Sequence, residues 1–190
     1  MSITTRAAVL SAVGVLLLAS CGGEENARPA GTTKNATTDS PDAMPGGSTQ
    51  PKQAKAPSEQ ALLTDVRVGR HPGFDRVVFE FRNTVPGYNV FYVKRPVTVE
   101  SPIPVKVAGQ FVLEVVMRNA RDADLSREGA PRTYTGPDRF TPGTTQIEEL
   151  VRAAEFEAVF TWVVGVKDRT AFRVIRLHDP PRLVVDSRRG

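Results

Sequence analysis

The 190-residue sequence contains only one cysteine and two histidines, which limits the chemistry available to it. A single Cys has no disulfide partner within the chain. A zinc hydrolase needs several imidazoles and a carboxylate around an open metal position. His71 and His178 lie more than a hundred residues apart, and neither stands in an HxxxH or HExxH spacing. We therefore expect no metal centre and no cofactor.

The sequence also lacks the setting of a serine hydrolase. Beyond residue 61 there are three serines, none of them in a GxSxG context: Ser101, Ser126 and Ser187. His71 lies near Asp75 in the sequence, and His178 directly precedes Asp179. Folding could bring these two neighbourhoods together, but no nucleophile completes either of them as a catalytic triad. We therefore expect a protein that is not an enzyme.

A hydrophobic run long enough to cross a membrane is missing as well. As a helix, residues 7–18 would span about 18 Å, whereas the hydrocarbon core of a bilayer is about 30 Å thick. One charge, Arg6, precedes this apolar run, and small residues follow it. That layout is typical of an export signal. The sequence therefore predicts a signal peptide at residues 1–20.

The end of this run, Leu18-Ala19-Ser20-Cys21, resembles the bacterial lipobox. In a lipobox a diacylglycerol is placed on the cysteine thiol, and the signal is cut just before that cysteine. The alternative is an ordinary signal peptide that happens to end near a cysteine. Lipidation would account for a thiol that is otherwise left free in an exported protein. We predict a lipoprotein acylated at Cys21, for example with palmitate, on the extracytoplasmic face of the cell membrane.

Residues 21–61 contain no Val, Ile, Leu, Phe, Tyr or Trp. Such a segment cannot bury enough apolar surface to offset the entropy lost on ordering. We therefore expect residues 21–61 to form a disordered Pro/Gly/Thr-rich tether between the lipidated cysteine and a domain. Whether its Thr and Ser residues carry sugars or the linker is bare stays open.

Residues 62–190 predict one all-β domain. Short segments rich in β-branched and aromatic residues alternate with turn residues, which is the spacing of a small β-sandwich or barrel. We expect short antiparallel strands and at most one short helix. The predicted strand segments are residues 62–68, 75–81, 88–93, 103–107, 111–117, 157–166, 171–177 and 182–186.

Two stretches of the domain do not fit this pattern. In residues 146–155, Ile147, Leu150 and Val151 fall on one helical face, and Thr145 with Glu148 has capping-box spacing. Periodicity alone therefore predicts a helix there. Residues 118–144 are rich in charge, Gly and Pro and too long for a plain connection, so we interpret them as a binding feature or a mobile excursion, with a candidate helical turn at residues 122–127.

Five stretches, taken in their order along the chain, resemble the AMIN-like domain of actinobacterial lipoproteins. They are VGRHPGFDRVVFEF (68–81), PGYNVFYV (86–93), YTGP (134–137), EFEAVFTWVVGV (155–166) and FRVIRLHDPPRLVVD (172–186). The resemblance implies a small β-sandwich, and hence a strand rather than a helix at residues 146–155. AMIN-like domains are relatives of the AMIN domain that precedes the catalytic part of some cell-wall amidases.

The resemblance also implies a functional class, because AMIN domains are non-catalytic modules that bind envelope components, peptidoglycan in particular. No amidase domain follows here, so we expect the function to reside in the module or in a protein that it recruits. The expected partners are the membrane, through the lipid anchor, and a cell-wall glycan or peptidoglycan. The alternatives are an adaptor that pairs an envelope protein with an exposed strand edge, and a wall hydrolase that uses the two histidines.

The formal charge of +4 does not indicate a nucleic-acid partner. Arginine supplies most of the positive charge of the domain and is spread along the chain instead of forming a run. An export signal also argues against nucleic acid. We interpret the domain as generally cationic and facing an anionic cell envelope.

Two loops, the first at residues 69–76 and the second at residues 132–140, hold the candidate ligand-binding residues. These residues suit glycan hydroxyls, peptide carboxylates and anionic polymers. Residues 69–76 are expected to form a hairpin that bends at Pro72-Gly73, with Asp75 bonded to its own backbone and Val77, Phe79 and Phe81 in the core. The alternative is that Arg76 pairs with a carboxylate such as Asp186 and the loop tips are merely solvated. The candidates are Arg70, His71, Asp75, Arg76, Arg132, Tyr134, Arg139 and Phe140.

Two further features favour structural explanations over functional ones. Glu155 and Glu157 are expected on the same face of one strand, which would suit a pair of catalytic carboxylates. We interpret them as solvent-facing, with Phe156 turned inward. Trp162 lies in a run that is apolar on both faces, so we expect it in the core rather than on a sugar-stacking surface.

Overall fold

The computed structural model describes residues 44–95 and 97–190. The predicted signal peptide at residues 1–20, Cys21 and the tether up to residue 43 lie outside the described residues. In the described part of the chain, no helix has the length and apolar character needed to cross a membrane. The export signal and the lipid site therefore stay predictions.

Eleven β-strands and no α-helix form the regular structure of the described residues, which confirms the expected all-β class. Seven of the eight predicted segments coincide with or overlap a strand. In chain order the strands are β1 (Lys52–Ala54), β2 (Ala61–His71), β3 (Phe74–Arg82), β4 (Gly87–Val93), β5 (Phe111–Arg118), β6 (Ala120–Arg121), β7 (Arg139–Phe140), β8 (Ile147–Phe156), β9 (Val159–Val166), β10 (Phe172–His178) and β11 (Pro181–Arg188).

The strands form two sheets that enclose one core as a β-sandwich. Sheet I has the strand order β10-β11-β3-β2-β6, and sheet II has the order β1-β4-β5-β9-β8-β7. Neighbouring strands are antiparallel, apart from β2 and β6, which form a short parallel pair. The small antiparallel sandwich expected from the sequence is therefore confirmed.

Trp162 lies at the centre of the core, with 0% of its surface exposed. The rings of Phe79, Tyr134, Phe140 and Phe160 pack edge-on against its indole, with centroid distances from 5.9 to 6.3 Å. This edge-to-face arrangement is one that aromatic rings prefer. The prediction of a core tryptophan is confirmed, and the sugar-stacking alternative is excluded.

The corner between β2 and β3 is the predicted hairpin. Strand β2 ends at His71, Pro72 and Gly73 form the turn, and β3 begins at Phe74. Gly73 has a φ of +78°, which the third residue of a type II turn requires. The predicted core side chains of β3 are all buried, as expected from strand alternation: Val77, Phe79 and Phe81.

Strand β8 occupies the segment in which periodicity predicts a helix. Its pairing with β9 shifts register between Ile147 and Glu149, and again between Arg152 and Ala154. An extra residue in a strand changes the face that the following side chains occupy. Ile147 and Leu150 therefore both reach the core although they are three residues apart, a spacing that imitates a helical face. The helix prediction is wrong, and the strand implied by the family resemblance is confirmed.

The turn between β8 and β9 corrects the interpretation of the two glutamates. Glu157 and Ala158 form a two-residue turn with φ values of 48° and 61°. Positive φ at both central residues is characteristic of a type I′ hairpin. Glu157 therefore lies in the turn and not on a strand face with Glu155. Phe156, expected to point inward, is 59% exposed at the strand end.

Residues 103–107 do not form the predicted strand. They belong to the segment 97–109, which covers the outer face of sheet II with Val97, Val99 and Val107 packed against Val163. Pairing within this segment is limited to one bridge between Val97 and Val105. The two prolines at positions 102 and 104 have no N–H to donate, which explains why the pairing does not extend.

Residues 118–144 do not contain the candidate helical turn at residues 122–127. Asp124 begins a series of hydrogen-bonded turns there, in which its Oδ1 accepts from the Ser126 N–H at 3.2 Å. Residues 118–144 are held in place by the backbone pairing of β6, by that of β7 and by a bridge between Ala123 and Arg132. They are therefore an ordered part of the domain surface.

The structure differs from the expected tether in residues 44–60, which contact the domain. Ser48 exchanges two backbone hydrogen bonds of 3.0 Å with Phe172 on β10, and β1 pairs with β4. The side-chain amide of Asn119 donates to the carbonyl of Pro57 at 3.1 Å. This segment contains no Val, Ile, Leu, Phe, Tyr or Trp, but its backbone groups occupy the free edges of both sheets. Hydrogen bonding to strand edges therefore replaces the apolar burial on which the prediction relied.

Candidate binding face

The outer face of sheet I carries a row of polar residues beside the β2–β3 hairpin. In the strand register, Arg173 of β10 lies opposite Asp186 of β11, which lies opposite Arg76 of β3 and then Gly69 of β2. Their side chains point outward because the alternate residues, such as Val77, point into the core. Four strands thus bring residues distant in the sequence to one surface.

Asp186 holds two arginines in this row. Its fully buried carboxylate accepts from Arg76 Nε at 2.7 Å and Nη2 at 2.9 Å, and from Arg173 Nε at 2.8 Å. The hydrogen bond to Asp186 raises the pKa of Arg76 above its usual value. The alternative pairing of Arg76 with Asp186 is therefore present. Two cations share one anion, so the cluster keeps a net positive charge.

Phe74 supports both guanidinium groups. The guanidinium carbons of Arg76 and Arg173 each lie 5.3 Å from the centre of its ring. The His71 ring stacks on Phe74, with centroids 5.0 Å apart and planes 8° from parallel. Cation–π contact at this distance is attractive. The aromatic rings and the guanidinium groups therefore form one ordered surface, the Arg-Phe cluster (His71, Phe74, Arg76, Arg173 and Asp186).

A notch of about 160 Å³ opens beside the Arg-Phe cluster. Gly69 contributes no side chain to it, and a Cβ at this position would meet nothing within 4 Å. Arg67, His71, Arg76 and Val78 line the notch. It is smaller than the roughly 300–1,000 Å³ of pockets that enclose a whole ligand. Its volume is that of a single small chemical group rather than of a whole ligand.

Asp75, a candidate from the sequence, faces the opposite way. It is fully buried, and its Oδ2 accepts from the N–H groups of Gln146 at 2.6 Å and Ile147 at 3.3 Å. The expected bond from Asp75 to its own turn is therefore replaced by bonds to the start of β8. His71 and Asp75 point to different sides of sheet I, so they do not form a His-Asp pair.

The two histidines do not meet either. His178 pairs with Pro181 at the first residue of β11, whereas His71 pairs with Phe74, which lies opposite Arg188 at the last residue of β11. At about 3.3 Å per residue this places them about 23 Å apart along the strands. Among the described residues, no three His, Cys, Asp or Glu side chains are grouped to hold a metal ion.

The second candidate loop does not join the first one in a single site. Thr133 donates its hydroxyl to Leu63 O at 2.6 Å, near the start of β2, whereas the hairpin follows the end of that strand. The separation along β2 is about 25 Å. Of the first-loop candidates, Arg70 donates to Gly143 O and Asp75 accepts from Gln146 and Ile147, all of which lie beyond the second loop.

Each candidate of the second loop has a structural contact. Tyr134 is 2% exposed, and its hydroxyl donates to Pro137 O at 2.8 Å. Phe140 packs on the central tryptophan. Arg132 contacts Asp122, and Arg139 bonds Glu149 at 2.7 Å. Gly136 permits the turn after Tyr134, because a Cβ there would lie 2.6 Å from the tyrosine ring.

Sequence reasoning found His71 and Arg76 but missed Phe74, Arg173 and Gly69. Strand alternation gave a usable signal for Phe74, because it precedes Arg76 by two residues and therefore shares its face. Arg173 could not be found in that way, since its place depends on the pairing of β10 with β11.

Comparison with known families gives one match over this region. The AMIN-like domain family matches residues 61–189, a range that includes all of the Arg-Phe cluster. No curated protein and no solved structure matches the chain.

Proposed function

The chain belongs to the AMIN-like domain family, and from this we propose that it is a non-catalytic module that binds peptidoglycan or another cell-wall polymer. The binding surface in this proposal is the outer face of sheet I, centred on the Arg-Phe cluster and the notch at Gly69. The ligand group is a carboxylate or an acetamide carried by the polymer.

The single observation that carries the proposal is the pair of guanidinium groups held on Phe74 by a buried carboxylate. Their side-chain freedom is already lost, so a ligand does not have to order them. Within the described residues, Arg76 Nη1 and both terminal nitrogens of Arg173 donate to no acceptor. Guanidinium N–H groups of this kind bind carboxylates with directional, charge-assisted hydrogen bonds.

Pelleting with insoluble peptidoglycan tests the proposal. The mature chain carrying Cys21→Ser, which prevents acylation, is expected to pellet with the wall material. Arg173→Gln removes one charged donor and leaves Arg76 bonded to Asp186, so we expect binding to weaken about tenfold, the effect of losing one charge-assisted hydrogen bond.

Arg139→Gln is the matched control, because it removes the same charge from an exposed arginine that is paired with Glu149 on sheet II. It is expected to pellet like the parent. Equal losses in Arg173→Gln and Arg139→Gln would show that net charge, and not the Arg-Phe cluster, determines binding. If the parent did not pellet at a single one of the salt concentrations tested, the proposed function would be refuted.

The second part of the proposal concerns location. We propose that the protein is an actinobacterial lipoprotein, exported through residues 1–20, acylated at Cys21 and held on the outer face of the cell membrane. Because residues 44–60 contact the domain, the proposed tether is reduced to residues 22–43. Cys21→Ser is expected to release the protein from membranes in cell fractionation, and unchanged membrane attachment would contradict the lipid anchor.

A protein adaptor is the second candidate function, and the edge of sheet I favours it. Strand β10 pairs with β11 on one side, and on the other side only Phe172 is bridged, to Ser48, within the described residues. The rest of this edge offers backbone donors and acceptors to an added strand. A photo-cross-linker at Ile175 is expected to capture one envelope protein in cells, whereas the same group at exposed Glu128 should not.

A further inference from the structure

A second pocket, of about 330 Å³, lies on the opposite side of the domain from the Arg-Phe cluster. Its floor is the outer face of sheet II, where Asn89, Val116 and Thr161 lie side by side on β4, β5 and β9. Residues 98–100 of the covering segment form one wall. The volume is at the lower end of the range for small-molecule sites.

Glu114 is an unpaired carboxylate in this pocket. Within the described residues its side chain forms no ion pair and no hydrogen bond, although it is half-buried. Burial raises the pKa of Glu114, and the nearby charge of Glu100 raises it further. Other shielded carboxylates of the domain are paired with arginine, as Asp186 and Glu149 are. An uncompensated charge in a partly desolvated site favours a cationic partner.

Arg118 lines the same pocket but does not neutralise Glu114. The two residues lie four positions apart on β5, which corresponds to about 13 Å along the strand. Glu100, on the covering segment, adds a second negative charge on the side of Glu114. The charge near Glu114 is therefore negative, in contrast to the cationic face of sheet I.

Two further side chains with oxygen acceptors line the same pocket. The side-chain Oδ1 of Asn89 is buried and has no hydrogen-bond partner in the described part of the chain. Thr161 is 2% exposed and lines the pocket from β9. A buried acceptor without a donor is costly, so this oxygen favours a ligand that brings an N–H group. Phe91 and Val116 supply apolar surface between the polar groups.

We propose that this pocket binds a primary alkylammonium group. The Glu114 carboxylate neutralises the charge, and the oxygens of Glu114, Asn89 and Thr161 accept the three N–H bonds that an ammonium donates. Phe91 and Val116 contact the methylene stem. The inference is independent of the wall-binding function, because it concerns a different face and a ligand of opposite charge.

An NMR titration of the mature chain carrying Cys21→Ser with n-butylammonium chloride tests the proposal. The backbone amide signals of Asn89, Glu114 and Thr161 are expected to shift and saturate, with a dissociation constant of about millimolar for a probe with so few atoms. n-Butanol has a similar stem without the charge, and tetramethylammonium has the charge without N–H donors. Neither is expected to produce saturable shifts at these positions.

Variants separate the role of Glu114 from general charge effects. Glu114→Gln keeps the shape of the side chain and is expected to weaken butylammonium binding at least tenfold, the effect of losing a charged partner. Thr161→Val should weaken it several-fold. The matched control is Glu128→Gln, at an exposed position outside the pocket, which should bind like the parent. Thermal unfolding of each variant checks that the fold is retained.

The proposal is overturned if butylammonium causes no saturable shift, if tetramethylammonium binds equally well, or if Glu114→Gln binds like the parent. Arg173→Gln provides the link to the wall experiment. It is expected to impair pelleting and leave butylammonium binding unchanged, so failure of one proposal is distinguishable from failure of the other.

Discussion

Asp75 lies next to a surface turn, but its charged side chain forms hydrogen bonds inside the domain. It follows the exposed corner by two residues, but its carboxylate is buried and accepts two backbone N–H groups at the start of β8. The side chain of Gln146 extends the contact to Thr170 and Ser187, at 3.1 and 3.3 Å. This polar network joins the two sheets beside the hairpin.

Replacing Asp75 with Ala is expected to lower the free energy of unfolding by about 3 kcal/mol. Both N–H groups would lose a charged acceptor and stay partly shielded from water. Chemical denaturation measures the change, with Glu128→Ala as a surface control expected within about 0.5 kcal/mol of the parent. A stability equal to the parent's in Asp75→Ala would show that solvent replaces the carboxylate.

Glu114 is expected to have the opposite effect to Asp75: its side chain lowers the free energy of unfolding instead of raising it. Burial raises the pKa of its carboxyl group in the folded state above the unfolded value, so the folded state binds the proton more tightly. The ionised form therefore destabilises the fold at pH values above the folded pKa. This penalty is relieved as the pH falls through the folded pKa toward the unfolded value of about 4.3.

Glu114→Gln is therefore expected to be more stable than the parent at neutral pH, with the difference shrinking as the medium is acidified. Glu100 and Arg118 are the other charged groups facing this pocket, and both are kept in the comparison. Denaturation at a series of pH values measures the difference. A constant difference at all pH values would indicate a packing effect instead of titration.

Among the segments of the chain, residues 44–60 complete the edges of both sheets. The bridge from Ser48 covers the start of β10, and β1 covers β4. Gly87 of β4 permits this contact, because a Cβ there would lie 2.4 Å from the backbone of Ala56. Strand edges left uncovered invite pairing with other chains.

Removing residues 22–60 is expected to destabilise the domain by about 2 kcal/mol and to promote association, since several edge hydrogen bonds are lost. Removing residues 22–43 alone should leave stability unchanged. Denaturation and light scattering of the two shortened chains measure these effects. Equal stability of the two shortened chains would indicate that residues 44–60 contribute nothing to the free energy of unfolding.

Across the domain, one aromatic centre joins the two sheets. Trp162 belongs to β9 of sheet II, and its ring contacts Phe79 of sheet I and Tyr134 of the long excursion. It is also the only tryptophan in the chain. Its fluorescence therefore reports on the core directly.

The domain is expected to unfold in one cooperative transition, with coincident changes in Trp162 fluorescence and far-ultraviolet circular dichroism. Trp162→Ala should lower the free energy of unfolding by about 3–5 kcal/mol, because it leaves a large cavity between the sheets. Separate transitions for the two signals would contradict a single shared core.

Local patterns in the sequence were sufficient for the fold class and for most strands. Alternation placed Val77, Phe79 and Phe81 in the core, and Pro72-Gly73 marked the hairpin, because these features depend on a few adjacent residues. The same reasoning failed at β8, where register shifts gave Ile147 and Leu150 the spacing of a helix. It also failed at residues 44–60, whose order comes from the edges of strands elsewhere in the chain.

The candidate site depended far more on tertiary structure. The sequence identified His71, Arg76 and the possible pairing with Asp186, and the family resemblance indicated the cell wall as the context. The sequence did not predict that Arg173 and Arg76 both contact Phe74 and Asp186. Nor did it predict that the Asp75 side chain points into the core. Residue type and alternation act within one strand, whereas a site on a sheet arises from the register between strands. Here the register brings Arg76 into contact with Asp186, 110 positions away.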